Sequence, residues 1–170
     1  GMAALENGNP AQAADAFRCA LALDPLFASA HYGLGCALIA LGSGRSALDS
    51  MLRAVELQHN HVAALFYAGK LHAELGQIEE ARDCFNLALT FDPLSSASRI
   101  ALANLLAASE GNDAAIALLR EAVVAGVADA DVCCSLADRL DQSGSTQEAI
   151  DVYRTAIDAY PEYPASLVKL

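Results

Sequence analysis

The residues of this chain that could carry chemistry are four histidines, five cysteines, eleven glycines and one run of paired carboxylates. Residues 31–48, HYGLGCALIALGSGRSAL, concentrate four of the glycines, in two G-x-G pairs, beside a histidine and a cysteine. A dinucleotide-binding loop would need G-x-G-x-x-G between a strand and a helix, so that backbone N–H groups meet a pyrophosphate. Gly33 and Gly35 are followed by Leu38 where the third glycine should stand, and the preceding FASAHY is no β-branched run. A Walker loop needs Gly-Lys-Ser/Thr, and Gly44 is followed by Arg45. The apolar run CALIAL falls far short of the roughly 20 residues that span a bilayer. The stretch indicates neither a nucleotide nor a membrane.

The histidines and cysteines fare no better as reagents. His59 and His61 flank Asn60, but a metal site needs a third converging ligand, and no Cys or carboxylate stands at a ligand spacing. They are expected to be solvated turn residues, with His31 and His72 on helices. Nucleophilic catalysis by cysteine needs a thiolate beside an oriented base. Cys84 adjoins Phe85, and Cys133 and Cys134 adjoin each other, in patterns that read as helix packing. In IEEARD (residues 78–83) Glu79 and Glu80 point outward on a helix, so no acid/base pair forms across a cleft. No catalytic residue, metal or cofactor is therefore expected.

Composition narrows the class. With 55% hydrophobic and 18% charged residues over 170 positions, the chain can bury a core and is not disordered. Alanine and leucine dominate and tryptophan is absent, which favours an all-helical fold. A net charge of −11, with Lys70 and Lys169 the only lysines, argues against nucleic acid and against anionic lipid. Five scattered cysteines without C-x-x-C suggest reduced thiols and a cytoplasmic setting.

What must position these residues is a repeat. Ala13, Ala47, Ala81, Ala115 and Ala149 recur every 34 residues, as do Ala20, Ala54, Ala88, Ala122 and Ala156. Three residues before the second series stand Phe17, Met51, Phe85, Leu119 and Tyr153, always large and apolar. Five residues after it come Pro25, His59, Pro93, Val127 and Pro161. Small residues let helix backbones approach, the large ones fill the space beside them, and proline stops the helix. On this register Gly35 is a close-approach position. Gly42 and Gly44 lie in the turn inside a repeat, matched by Gly8, Gly76 and Gly144 and, one residue late, by Gly111. Gly126 can end its helix in place of the proline that Val127 replaces.

The pattern resembles the tetratricopeptide repeat family, whose unit is a 34-residue pair of antiparallel helices, and the resemblance covers the whole chain. It implies an all-α fold, a TPR-type helical-hairpin solenoid forming a right-handed superhelix. Complete repeats are expected at 28–61, 62–95, 96–129 and 130–163, with a partial repeat at 1–27 and the start of a further helix at 164–170. The chain reads as a window from a longer array. Apolar patches are expected at Leu5, Leu167 and Leu170, covered by self-association or by further repeats.

In the family, the first helices of successive repeats line a groove that holds a partner segment. Carried over position by position, the resemblance places Tyr32, Phe66, Ile100 and Cys134 there, with Cys36, Lys70, Asn104 and Asp138 one turn on. Ile39, Ala73, Ala107 and Asp141 follow, then Glu74 and Gln142. This surface is apolar and aromatic at the front and acidic at the rear through Asp131, Asp138 and Asp141. It suits a protein segment, such as an amphipathic helix, with an apolar anchor followed by basic residues. A carboxylate clamp of the chaperone-binding kind is poorly served, since only Lys70 and Asn104 fit it. The first expectation is a non-catalytic protein–protein interaction scaffold. The alternatives are the substrate-recruiting region of a larger enzyme, of glycosyltransferase or methyltransferase type, and a cytoplasmic type III secretion chaperone.

Overall fold

On a helix four residues make about one turn, so Ala13 and Phe17, or Ala81 and Phe85, must face the same side. The computed structural model, which describes residues 1–160, buries both members of each such pair. Ten helices and no strand occur among the described residues. The protein is all-α, built of helical hairpins, and divides into two compact units.

Unit 1, Gly1–Phe91, contains α1 (Met2–Glu6), α2 (Pro10–Leu23), α3 (Ala28–Ala40), α4 (Gly44–Leu57), α5 (Val62–Glu74) and α6 (Ile78–Phe91). Each helix packs on the next. The glycines explain how closely. A Cβ on Gly35 would come within 2.7 Å of Met51 Cε on α4, and one on Gly69 within 2.6 Å of Phe85 Cε1 on α6. Gly33 is a second close approach on α3, because a Cβ there would sit 2.3 Å from Phe17 Cζ on α2. Thus Gly35 admits the helix that follows and Gly33 the helix that precedes. Only the first of these roles was visible in the repeat register.

Unit 2, Asp92–Leu170, contains α7 (Ser96–Ser109), α8 (Asn112–Val124), α9 (Ala130–Gln142) and α10 (Thr146–Ala159). Here α7 packs on α8, α8 on α9 and α9 on α10, with a further contact of α7 with α9. Leu119, Leu136 and Val132 are fully buried at its centre, joined by Tyr153.

Helix ends follow from local chemistry. Gly42 adopts φ +72°, and the N–H groups of Gly42 and Ser43 donate back to the carbonyls of Ile39 and Leu38, each at 2.9 Å. That closes the open carbonyls of α3 in a way an L-residue resists. Gly44 does not share the turn, as the register suggested; it is the first residue of α4. Gly126 does for α8 what Gly42 does for α3, with φ +69° and Val127 N–H donating to Ala122 O at 3.0 Å. Where proline stands instead, an aspartate shapes the turn. Asp24 and Asp92 accept from the N–H groups of Leu26 and Leu94 at 3.0 and 3.1 Å.

Two polar side chains, neither given a role by the sequence, hold these turns. His31 Nε2 lies 3.0 Å from the carbonyl of Pro25 in unit 1. One pair of repeats on, in unit 2, Arg99 Nη2 donates to the carbonyl of Pro93 at 2.6 Å. Both side chains stand at the same repeat position and satisfy the same orphan carbonyl. Leu5, expected in an open patch, is half-buried against Ala13, Ala14 and Phe17, because α1 folds back on α2. Pro161, the helix start at 164–170, Leu167 and Leu170 lie outside the described residues. No helix among the described residues is long and apolar enough to cross a membrane.

Candidate partner-binding faces

Helix α3 reads ASAHYGLGCALIA, with no Asp, Glu, Lys or Arg in it. A helix apolar on all sides is either wholly buried or keeps a face for something else. In α3 the side toward α2 and α4 is filled by Ala30, Gly33, Gly35, Ala37 and Leu38, while Tyr32, Cys36 and Ile39 are only half-buried. The first helix of the next pair, α5, adds half-buried Phe66 and exposed Lys70 and Glu74. The unit 1 members of the expected groove therefore all reach the surface.

The aromatic residues form a connected cluster. Tyr67 links Tyr32 and Phe66, with ring centroids at 6.2 and 5.2 Å, the latter pair edge-on. Phe66 is backed by the buried ring of Phe85 at 6.3 Å. Lys70 Nζ stands 5.8 Å from the Phe66 ring, one turn away on the same helix, as a cation over a π face. Burial and a hydrogen bond with Cys36 hold the Tyr32 phenol well above its usual range, and burial pushes the Cys36 thiol up as well. Both groups stay neutral, and Cys36 is no thiolate nucleophile.

His61 corrects an expectation. It is not a solvated turn residue: it is half-buried, its ring packs against Tyr32 at a 39° tilt with centroids 4.7 Å apart, and it caps α5. Its Nδ1 accepts from the Ala64 N–H at 3.2 Å. The sequence signal was present, since Ser95 and Asp129 occupy the equivalent position and cap α7 and α9. His59 is exposed, and its Nδ1 lies 3.1 Å from the Val55 carbonyl.

The unit 2 face has a different character. Half-buried Ile100 and Cys134, with Asn104, Asp131 and Asp138, line a shallow concavity of about 350 Å³ between α7 and α9. A second, of about 340 Å³, lies between α9 and α10 against Asp138, Asp141 and Tyr153. The expectation of a plain acidic rim needs two corrections. Asp138 is engaged, accepting from the Tyr153 hydroxyl, whose pKa is pushed well up by burial first and by this bond second. Asp141 accepts from the Thr146 hydroxyl at 3.1 Å and is otherwise exposed.

The other correction is Arg139. Its repeat equivalents are Ala37, Leu71 and Leu105, all buried and apolar. Arg139 instead donates to Asn112 Oδ1 at 2.9 Å and to Asn104 Oδ1, while Asn112 Nδ2 returns a bond to the Arg139 carbonyl at 3.0 Å. This clasp ties α7, α8 and α9, and it uses the residue that opens α8 just after the displaced Gly111. Burial works against the guanidinium charge, which the two asparagine oxygens offset. Arg139→Leu restores the apolar column and is expected to stay within about 1.5 kcal/mol of the parent, whereas Asn112→Ala removes the acceptor of a half-buried guanidinium N–H and should cost roughly 1–3 kcal/mol. Urea midpoints read by far-UV circular dichroism check the order. A leucine variant weaker than the alanine variant would disprove the clasp.

The tetratricopeptide repeat model matches residues 1–58, 32–96 and 100–164. DnaJ homolog subfamily C member 3 of Rattus norvegicus is 30% identical over 106 residues, which are 62% of this chain and 21% of that protein. The chain spans about a fifth of the length of the curated relatives it matches. MamA from Desulfovibrio magneticus RS-1 superposes with a TM-score of 0.74 at 16% identity, covering 96% of this chain and 93% of that one. The second TPR domain of human RPAP3, solved in complex with the HSP70 peptide SGPTIEEVD, gives 0.58 at 18% identity over 61% of this chain and 86% of that one. These two likenesses speak to fold alone. With family matches spread along its length over helix pairs built on one 34-residue packing column, the chain belongs to the tetratricopeptide repeat family.

Proposed function

We propose that the unit 1 face formed by Tyr32, Cys36, Ile39, Phe66 and Lys70 is the docking site for a segment of a partner protein, with an apolar side chain as its anchor. Repeats of this family serve as protein–protein interaction scaffolds and are generally non-catalytic. The observation that carries the reading is α3, uncharged from end to end yet left with Tyr32, Cys36 and Ile39 partly open. Aromatic side chains that are already ordered by their neighbours lose little conformational freedom on binding. Support for a peptide ligand in general comes from the RPAP3 domain of this fold, which was solved in complex with the HSP70 peptide SGPTIEEVD. By its chemistry the unit 2 face, read by itself, suits basic side chains through Asp131 and Asp141. The repeat scaffold is read as non-catalytic.

A partner retained by the full chain from native lysate supplies the ligand for the test. Phe66→Ala is expected to weaken its binding by roughly 2 kcal/mol, about thirtyfold, as for a desolvated aromatic hot spot. Glu79→Lys, at an exposed position on the second helix α6, serves as control and should change it little. Titration calorimetry reads both. A partner that ignores Phe66→Ala and is lost on Glu79→Lys binds elsewhere.

A further inference from the structure

We propose that His61 is a proton-operated latch on the unit 1 face: neutral, it caps α5 and seats Tyr32, and protonated, it releases both. Its use in regulating binding rests on the docking reading above.

The latch follows from which atoms do what. Nδ1 of His61 accepts the Ala64 N–H at 3.2 Å, so the neutral ring must carry its proton on Nε2. Protonation fills Nδ1, and the ring then has two donors and no acceptor. Ala64 is fully buried, so its N–H cannot turn to water while α5 keeps its first turn. The same proton places a positive charge at a helix N-terminus, where the macrodipole repels it. Attraction of an imidazolium to the Tyr32 ring opposes release, but it does not replace the lost acceptor.

The surroundings add no anion to hold the charge. The ring meets Tyr32 of α3, which in turn meets Cys36 on α3 and Tyr67 on α5, and His59 stands two residues away in the same turn; the Tyr32 phenol and the Cys36 thiol, pushed up by burial, stay neutral. Burial lowers the His61 pKa, a backbone hydrogen bond partly raises it, and no carboxylate contributes. The sign follows. A histidine whose folded pKa lies below its unfolded value stabilises the fold above the unfolded value, and that contribution fades as pH falls toward the folded one. The device is particular to this repeat. Ser95 and Asp129 cap α7 and α9 through oxygen, and Phe27, which precedes α3, makes no side-chain cap.

The test needs no partner. Amide hydrogen exchange of the full chain, corrected for intrinsic rates, is compared at about pH 7.5 and about pH 4.5, the lower value set well beneath the ordinary imidazole range because burial lowers this histidine. Protection at Ala64 is expected to fall about tenfold on acidification, the worth of one hydrogen bond. His61→Asn keeps a side-chain acceptor without a titrating group, so its Ala64 protection should be independent of pH. His61→Ala should be poorly protected at both. Equal protection at the two pH values in the parent chain, or the same acid-induced loss in His61→Asn, overturns the latch. The outcome is separate from the docking test: a working latch with a partner indifferent to Phe66→Ala would sink the docking reading alone.

Discussion

Phe85→Ala is expected to destabilise the protein by about 3–5 kcal/mol, the range for truncating a fully packed aromatic. Phe85 is 1% exposed, lies against the bare backbone of Gly69 and backs the ring of Phe66. Gly69 has no side chain to lean into the space, so the cavity cannot collapse from that side. The loss is the transfer free energy of the ring together with the unfilled volume. Leu87→Ala on the same helix, at a residue 40% exposed, is the control and should stay within about 0.5 kcal/mol. The chain has no tryptophan, so urea melts followed by far-UV circular dichroism are the suitable readout. Equal midpoints for the two variants would mean that the large-residue column does not carry the packing. Affinity for a docked partner should fall with Phe85→Ala too, since Phe66 would lose the ring that fixes it.

Gly69→Leu is the second large effect, and its sign is a contest. In an exposed helix interior the change would stabilise by roughly 1 kcal/mol, because glycine is a poor helix former. Here the first added atom would stand 2.6 Å from a ring atom of Phe85, 2.9 Å from a second and 3.0 Å from a third. A phenyl ring that is buried and flat cannot bend away, so helix α6 itself must move. Overpacking of that kind costs about 3 kcal/mol or more and outweighs the propensity gain. Gly35→Ala makes the contrast. Its obstacle is the thioether end of Met51, which has rotatable bonds with which to yield, so the net change should be within about 1 kcal/mol. The pair is read in the same urea melts. If Gly69→Leu proves as stable as the parent, close approach is not what fixes this glycine.

The helical class and the core were legible because they rest on local periodicity. Ala81 and Phe85, or Ala115 and Leu119, stand one turn apart on one helix, and that spacing needs no knowledge of what lies opposite. The proline and glycine stops were legible for the same reason, since backbone constraints act within a few residues. Gly44 was misplaced by its glycine character alone; with Gly42 already supplying the left-handed residue, the next glycine, two residues on, was free to begin a helix.

What only the tertiary structure decided is which polar groups find each other. Asn112 and Arg139 are 27 residues apart, and Arg99 and Val127, joined at 3.4 Å, are 28 apart. Neither distance is a period of anything, so no pattern in the chain announces them. The candidate face divides along the same line. That Tyr32 and Phe66 share a repeat position is written in the sequence. Tyr67, one residue beyond it, joins them only because side-chain direction on α5 carries its ring back toward α3. His61 looks like any loop histidine until Tyr32 stands 4.7 Å from it and Ala64 points an N–H at its ring. The sequence by itself determined the repeat, its core column and its turns, because these follow from interactions a turn or two long. Burial of polar groups, and with it the lowered pKa of His61 and of Arg139, was decided by neighbours from other helices, because desolvation belongs to the packed volume and not to the residue.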